Sequence, residues 1–358
     1  MYNKINYTKK GISLKLNFRT GAAFASKKAK KYFEKRVPQD IKNVVVIRHA
    51  AIGDFMVIRP FLIELRKYFP NAKITLNVLR TSMYGMPEDL VDNIHIIDKY
   101  YPENKMKKTS FFYRLKQIRT LPKADIIFDL TDSSQSLMLS IFSNASIKIG
   151  YSYRMLRRIF YDVSTFRSDF VWEGNSVLHQ LQILGANTQY DPYEFQLSQR
   201  STNLLNPYII YFAGASVENR CWGNENFTKL IRQMSENYSQ YKHVILQGIK
   251  ENEKFEDIYA PLQQKDNIVL QVALPLENIY DYLAEASLVI VGDTGLRNMA
   301  IATNTPTLGI MWAPYISPLR YLPKLCIHKV VFNPDFVKPK IENVFKKAVE
   351  MIENLYEK

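Results

Sequence analysis

The chain has 358 residues, 47% of them hydrophobic, and a formal net charge of +14. That length predicts two domains rather than one core, and the apolar share excludes global disorder. Cys221 and Cys326 are too few and too distant for a disulfide framework or a zinc cluster, which points to a reduced, cytoplasmic setting. No run reaches the ~20 apolar residues of a membrane span, and the amino terminus lacks a signal-peptide core.

In chain order, the first 40 residues read as a basic arm. Residues 1–36 hold eleven Lys or Arg against Glu34, 11 − 1 = +10 of the total charge, with Leu14, Leu16, Phe18, Phe24, Tyr32 and Phe33 interleaved. An anionic membrane surface would attract such a segment by roughly 1 kcal/mol per basic residue. A solvated arm without a specific partner is the alternative. Nucleic acid is not expected, since no recognised binding motif accompanies the charge.

Val44 to Ile47 is a continuous β-branched run, as in a buried parallel strand. It leads to Gly53-Asp54 and a helix expected to start near Pro60, with apolar Phe61, Leu62, Leu65 and Phe69 at helical spacing. Ile74–Val78 completes a βαβ unit. Further strands are expected at Ile94–Ile97, at Ile126–Leu130 before the polar turn Thr131-Asp132-Ser133-Ser134, and at Ile147–Gly150. Arg154, Arg157 and Arg158 form a second basic cluster, and a helix over Val177–Leu184 closes the first half at Gly185.

Residues 187–206 are polar and read as a linker. The pattern then restarts, with strands at Tyr208–Phe212, His243–Gln247, Ile268–Leu270, Leu288–Val291 and Thr307–Met311. Helices are expected at Phe227–Tyr238, Glu251–Gln263, Leu276–Ala284 and Leu296–Thr303, and a terminal amphipathic one at 341–355. Two strand–turn–helix junctions carry an Asp beside a Gly, at Gly53-Asp54 and at Gly292-Asp293-Thr294-Gly295. Such junctions are where α/β proteins place ligands, because helix amino termini offer unpaired N–H groups to anions.

Each junction residue admits two readings. Asp54 could take a proton from a hydroxyl or simply cap a helix. Thr294 and Gly295 could hold a diphosphate, with Asp293 on a ribose, or form a capped turn. Arg220 could neutralise a departing phosphate or be a loop cation. His49, His95, His179, His243 and His328 have no ligand spacing, so no metal is assigned. GxGxxG, GxxxxGK[ST] and GxSxG are absent, which argues against a Rossmann dehydrogenase, a P-loop NTPase and an α/β-hydrolase.

Together these motifs resemble glycosyltransferase family 9, the family of the lipopolysaccharide heptosyltransferases. Val44–Val78, with its Phe-Pro-Asn-Ala helix end, is similar to the family's opening. Asp129–Tyr151 resembles its middle signature, and Gly292–Pro306 its donor motif. The likeness spans about residues 43–320. It implies an α/β GT-B fold, two Rossmann-like domains with parallel sheets facing across a cleft: an acceptor domain at 41–186 and a nucleotide-sugar domain at 207–340, with a carboxy-terminal helix at 341–358.

By the same resemblance the chain is an inverting, metal-independent transferase without a cofactor, using a nucleotide-sugar such as ADP-heptose. Asp54 would be the general base. Ser216, Arg220, Asp293, Thr294, Gly295 and Asn298 would bind the donor, Arg220 standing where the family usually has Lys and Asn298 where it commonly has His. Ala50-Ala51 and Gly223 also depart from the family's Ser pair and Pro. Arg154, Arg157 and Arg158 would meet an anionic lipopolysaccharide core, and the arm would hold the enzyme at the inner face of the cytoplasmic membrane. Alternatives are another NDP-sugar donor, or a silent protein that binds anionic surfaces.

Overall fold

A computed structural model describes residues 12, 23–151, 159–188, 193–200, 207–215, 218–312, 317–323 and 327–356. The chain divides into two compact units, Met1–Glu194 and Phe195–Lys358, and the division falls inside the polar stretch 187–206.

The first unit is built on a seven-stranded sheet: β1 (Phe24–Ala25), β2 (Asn43–Ile47), β3 (Lys73–Leu79), β4 (Asn93–Ile97), β7 (Ala124–Asp129), β8 (Ala145–Tyr151) and β9 (Val163–Thr165). Its order is β1-β9-β8-β7-β2-β3-β4. Every pairing is parallel except β1 on β9. Val44–Ile47 are fully buried, as a central strand covered on both faces requires. A separate antiparallel hairpin, β5 (Tyr100–Tyr101) with β6 (Asn104–Lys108), follows β4.

The helices of this unit are α1 (Lys27–Glu34), α2 (Ile52–Tyr68), α3 (Phe111–Arg119), α4 (Ser134–Phe142) and α5 (Glu173–Gln182). Instead of starting near Pro60, α2 begins at Ile52 and carries Pro60 in its interior. An interior proline removes one backbone hydrogen bond and costs about 3 kcal/mol. Burial of Phe55, Met56, Val57, Ile58, Phe61, Leu62 and Leu65 outweighs that cost. Gly53-Asp54 therefore lies in the first helical turn.

Residues 24–40, expected as part of an arm, join the first unit. Ser26 caps α1, and Ala29 and Phe33 are buried beneath its lysines. Tyr32 donates to Asp125 at the start of β7 (3.3 Å), and Lys28 pairs with Asp162 just before β9 (3.1 Å). Thus α1 lies at the amino-terminal edge of the parallel sheet. Strands of five to seven residues separate that edge from the carboxyl-terminal one by roughly 20 Å.

The second unit carries a fully parallel six-stranded sheet of β10 (Tyr208–Phe212), β11 (Lys242–Leu246), β12 (Ile268–Gln271), β13 (Leu288–Val291), β14 (Thr307–Met311) and β15 (His328–Phe332). The order is β12-β11-β10-β13-β14-β15. Its helices are α6 (Asn224–Asn237), α7 (Glu256–Tyr259), α8 (Leu276–Ala284), α9 (Gly295–Ala302) and α10 (Ile341–Tyr356). The helix expected over Glu251–Gln263 is broken. Phe255 adopts the left-handed conformation (φ 59°) with its ring buried against Phe212, leaving a four-residue helix between two 3₁₀ turns.

Two buried imidazoles are expected to make this unit acid-sensitive. Burial lowers His243 to about 4, and burial together with Arg297 lowers His328 to about 3. His243 lies between the Tyr211 hydroxyl (2.9 Å) and the Tyr238 carbonyl (3.1 Å). The unfolded chain takes up these protons first, near 6.5, so the stabilisation is complete above that value and falls as pH drops towards 4. Thermal melts should show a loss of about 2–3 kcal/mol per imidazole at pH 4.5 relative to pH 7.5. His243→Gln should flatten that slope; an unchanged slope in the variant would clear His243 of the effect.

Candidate active site

In each unit, chain order reverses direction at one point along the sheet. From β2 the chain first builds outward through β3 and β4, then returns to place β7 on its other side. In the second unit β10 is flanked in the same way by β11 and β13. Such switch points open a crevice at the carboxyl ends of the strands, the usual ligand position in open α/β sheets.

Asp54 stands at the first switch point. Its Oδ1 accepts from Arg48 Nη2 at 2.9 Å, and its side chain is 38% exposed while that of Arg48 is 3% exposed. Among the described residues, Arg48 alone donates to this carboxylate. Arg48 is the first residue beyond β2, and its Nη1 reaches the carbonyl of Leu130 beyond β7, so the guanidinium bridges the two strand ends. It also meets the buried Glu173 at 3.5 Å. Glu173 in turn receives Arg167 through Nη2 (2.5 Å) and Nε (3.2 Å).

Burial opposes the charge on Arg167, and the adjoining Glu173 carboxylate more than offsets it, holding the guanidinium above its ordinary value. Asp129, at the end of β7, is fully buried. Burial raises it, against hydrogen bonds from Tyr161 (2.6 Å) and from the backbone N–H of Asp132 and Thr131. A Cβ on Gly150 would lie 2.4 Å from the Tyr161 ring, so glycine is what lets that tyrosine reach Asp129. These contacts fix the loop after β7, whose Leu130 carbonyl accepts from the Arg48 that holds Asp54.

At the second switch point, Arg220 Nη1 donates to Asp293 Oδ2 at 2.7 Å. Gly292 approaches the Gly214 carbonyl closely enough that a Cβ would lie at 3.5 Å, so the loops after β10 and β13 run side by side. Thr294 is the amino-terminal cap residue of α9 and Gly295 its first helical residue. Asn298 is half-buried one turn further on. Trp222 is a packing residue, buried against Phe227 with its indole N–H on the Pro339 carbonyl. The structure thus brings Arg220, Asp293, Thr294 and Gly295 together. Ser216, Arg154, Arg157 and Arg158 lie outside the described residues.

Four charged residues here escaped the sequence reading: Arg48, Arg167, Glu173 and Arg297. Arg48 and Glu173 are 125 positions apart, and Glu173 has no motif of its own. Arg297 is buried in α9, donating through Nη1 to the Tyr321 carbonyl (3.0 Å), while its Nε and Nη2 have no partner among the described residues. Burial lowers it to about 10, against the pull of Asp293. It fits only because β14 offers Gly309, where a Cβ would lie 2.7 Å from Nε. Among the described residues, no cluster of His, Cys, Asp and Glu could hold a metal ion. No described helix is long and apolar enough to cross a membrane.

The family model for glycosyltransferase family 9 (heptosyltransferase) matches residues 114–314. The chain belongs to this family. It is a glycosyltransferase of the heptosyltransferase type. Lipopolysaccharide heptosyltransferase 3 of Escherichia coli is 24% identical over 290 residues, 74% of this chain and 83% of that protein. The E. coli heptosyltransferase WaaC, solved with ADP-2-deoxy-2-fluoro heptose, superposes with a TM-score of 0.67 at 17% identity, covering 87% of this chain and 99% of WaaC. A family 9 glycosyltransferase from Veillonella parvula gives 0.65 at 19% identity, with 88% and 98% covered. These likenesses carry the fold, the α/β GT-B architecture with parallel sheets in two domains.

Proposed function

We propose that this glycosyltransferase moves heptose from ADP-heptose to a hydroxyl of a lipopolysaccharide core acceptor, with inversion at the anomeric carbon and without a metal. The carrying observation is the Asp54 carboxylate, held on one oxygen by Arg48 at the switch point of the first sheet. A carboxylate fixed on one side and open to solvent can accept the proton of an incoming hydroxyl as that hydroxyl attacks. The acceptor would rest on the first unit, with Arg154, Arg157 and Arg158 meeting its phosphates.

The donor would lie on the second unit. The unpaired N–H groups at the start of α9 suit a diphosphate, and the helix dipole adds about 0.3–1 kcal/mol for an anion there. Arg220, at present on Asp293, is within reach of the same turn and would neutralise the leaving ADP, the electrostatic contribution expected to dominate. Ser216 and Asn298 would complete the donor contacts. Arg220 supplies the charge that a metal provides in other transferases, so chelation should leave turnover unchanged. Two of its relatives, a lipopolysaccharide heptosyltransferase and WaaC solved with an ADP-heptose analogue, support the choice of donor and acceptor.

Calorimetric titration tests the donor assignment. ADP should bind more tightly than UDP or GDP, and Arg220→Ala should weaken ADP roughly tenfold to a hundredfold, the range for a lost charge-assisted hydrogen bond. A preference for UDP or GDP would instead favour a different nucleotide-sugar on the same fold. The lysines of α1 suit peripheral attraction to an anionic membrane from the cytoplasmic side, where an acceptor built on lipid would be presented.

A further inference from the structure

We propose that the β5–β6 hairpin and the helices α3 and α4 form a lipid-docking surface, one that seats the first unit on an anionic bilayer through aromatic insertion. Four large apolar side chains stand in solvent here: Met106 is 92% exposed, Phe112 79%, Phe111 49% and Phe142 46%. The three phenylalanines form one cluster, with ring centroids 5.7 Å apart for Phe111–Phe112 and 5.8 Å for Phe111–Phe142. A connected exposed aromatic patch marks an interaction surface, since soluble proteins rarely leave one uncovered.

The charge around it names the occupant. Residues 99–119 carry seven basic side chains (Lys99, Lys105, Lys107, Lys108, Arg114, Lys116, Arg119) against Glu103, 7 − 1 = +6. Lys105, Lys107 and Lys108 flank Met106 on the exposed β6 strand. No ion pair of the described residues uses any of the seven. Apolar rings that enter the acyl boundary, bordered by lysines that stay at headgroup level, make a surface matched to negatively charged lipid.

The hairpin and α3 are tied firmly to the end of β4. Asp98, the buried residue after β4, accepts from Arg80 Nε (2.6 Å), Gln117 Nε2 (2.6 Å) and the Tyr113 hydroxyl (3.4 Å). Thr109 donates to the Asp98 carbonyl and accepts from Arg114 Nε, which ties the end of the hairpin to α3. The hairpin therefore leaves the sheet at its carboxyl-terminal edge, the edge that carries Asp54. The docking itself needs neither donor nor acceptor.

Vesicle binding by the full chain tests it. With phosphatidylcholine vesicles containing phosphatidylglycerol, Phe112→Ser should weaken binding roughly tenfold. Replacing Lys105, Lys107 and Lys108 by Glu should weaken it roughly a hundredfold. Trp172, Trp222 and Trp312 are buried, so in Phe112→Trp any added quenching by brominated lipid reports on position 112 alone. Added quenching supports insertion. Its absence overturns the proposal, as would monomerisation of a self-associated chain by Phe112→Ser, or binding to single-stranded RNA that these variants weaken while vesicle binding is unchanged. Unaltered melting curves would establish that each variant is folded.

Discussion

Asp54→Ala is expected to lower turnover by roughly 10²–10⁴, the range for loss of a general base, with ADP binding on the second unit unchanged. The effect on stability should be small. Asp54 is 38% exposed, and exposed ion pairs contribute about 0–1 kcal/mol. Its partner Arg48 would keep the Leu130 carbonyl and Glu173, so no buried cation is stranded. Asp54→Asn discriminates further, because it preserves shape and can still meet Arg48 through its carbonyl oxygen, yet it has almost no basicity. Both variants should therefore lose kcat to a similar extent while melting near the wild type. Turnover close to wild type in Asp54→Asn would remove proton abstraction by this residue from the mechanism.

What could be read ahead of the structure was what is local. The central strands of both sheets appear as β-branched runs between turns, because burial on both faces forces apolar continuity on a parallel strand, whereas β1, β9 and β15 towards the sheet ends carry no such signal. The Gly292-Asp293-Thr294-Gly295 turn is equally legible, since cap and helix start occupy adjacent positions. Elements set by distant contacts were not. The β5–β6 hairpin and α3 are too polar to carry a periodic apolar signal. The left-handed Phe255 depends on Phe212 for its place. The start of α2 was missed because proline reads as a helix opener, whereas buried residues on both sides of Pro60 hold it in the interior. The network around Asp54 joins Arg48, Leu130, Arg167 and Glu173 only after β2 and β7 become neighbours.

That network gives the largest expected change in stability. Glu173 is buried at 1% exposure, and two guanidiniums converge on it, Arg167 bidentately and Arg48 at 3.5 Å. Glu173→Leu deprives both cations of their shared anion, leaving Arg48 with the half-exposed Asp54 and stranding Arg167. Removing one partner of a buried ion pair costs about 3–5 kcal/mol, because the stranded charge keeps its desolvation penalty. For a unit of this size that lowers the melting temperature by roughly 10 °C, confined to the transition of the first unit. Glu173→Gln should lose less, since its carbonyl oxygen still accepts from one guanidinium. Replacing Arg48 and Arg167 by Met in the same chain should relieve much of the Glu173→Leu deficit, the coupling expected of residues that share one contact. The relieved triple variant should nonetheless turn over slowly, because Asp54 has lost the guanidinium that positions it. If Glu173→Leu melts with the wild type, the three charges do not form the cooperative unit described here, and Asp54 and the Leu130 carbonyl suffice to hold Arg48.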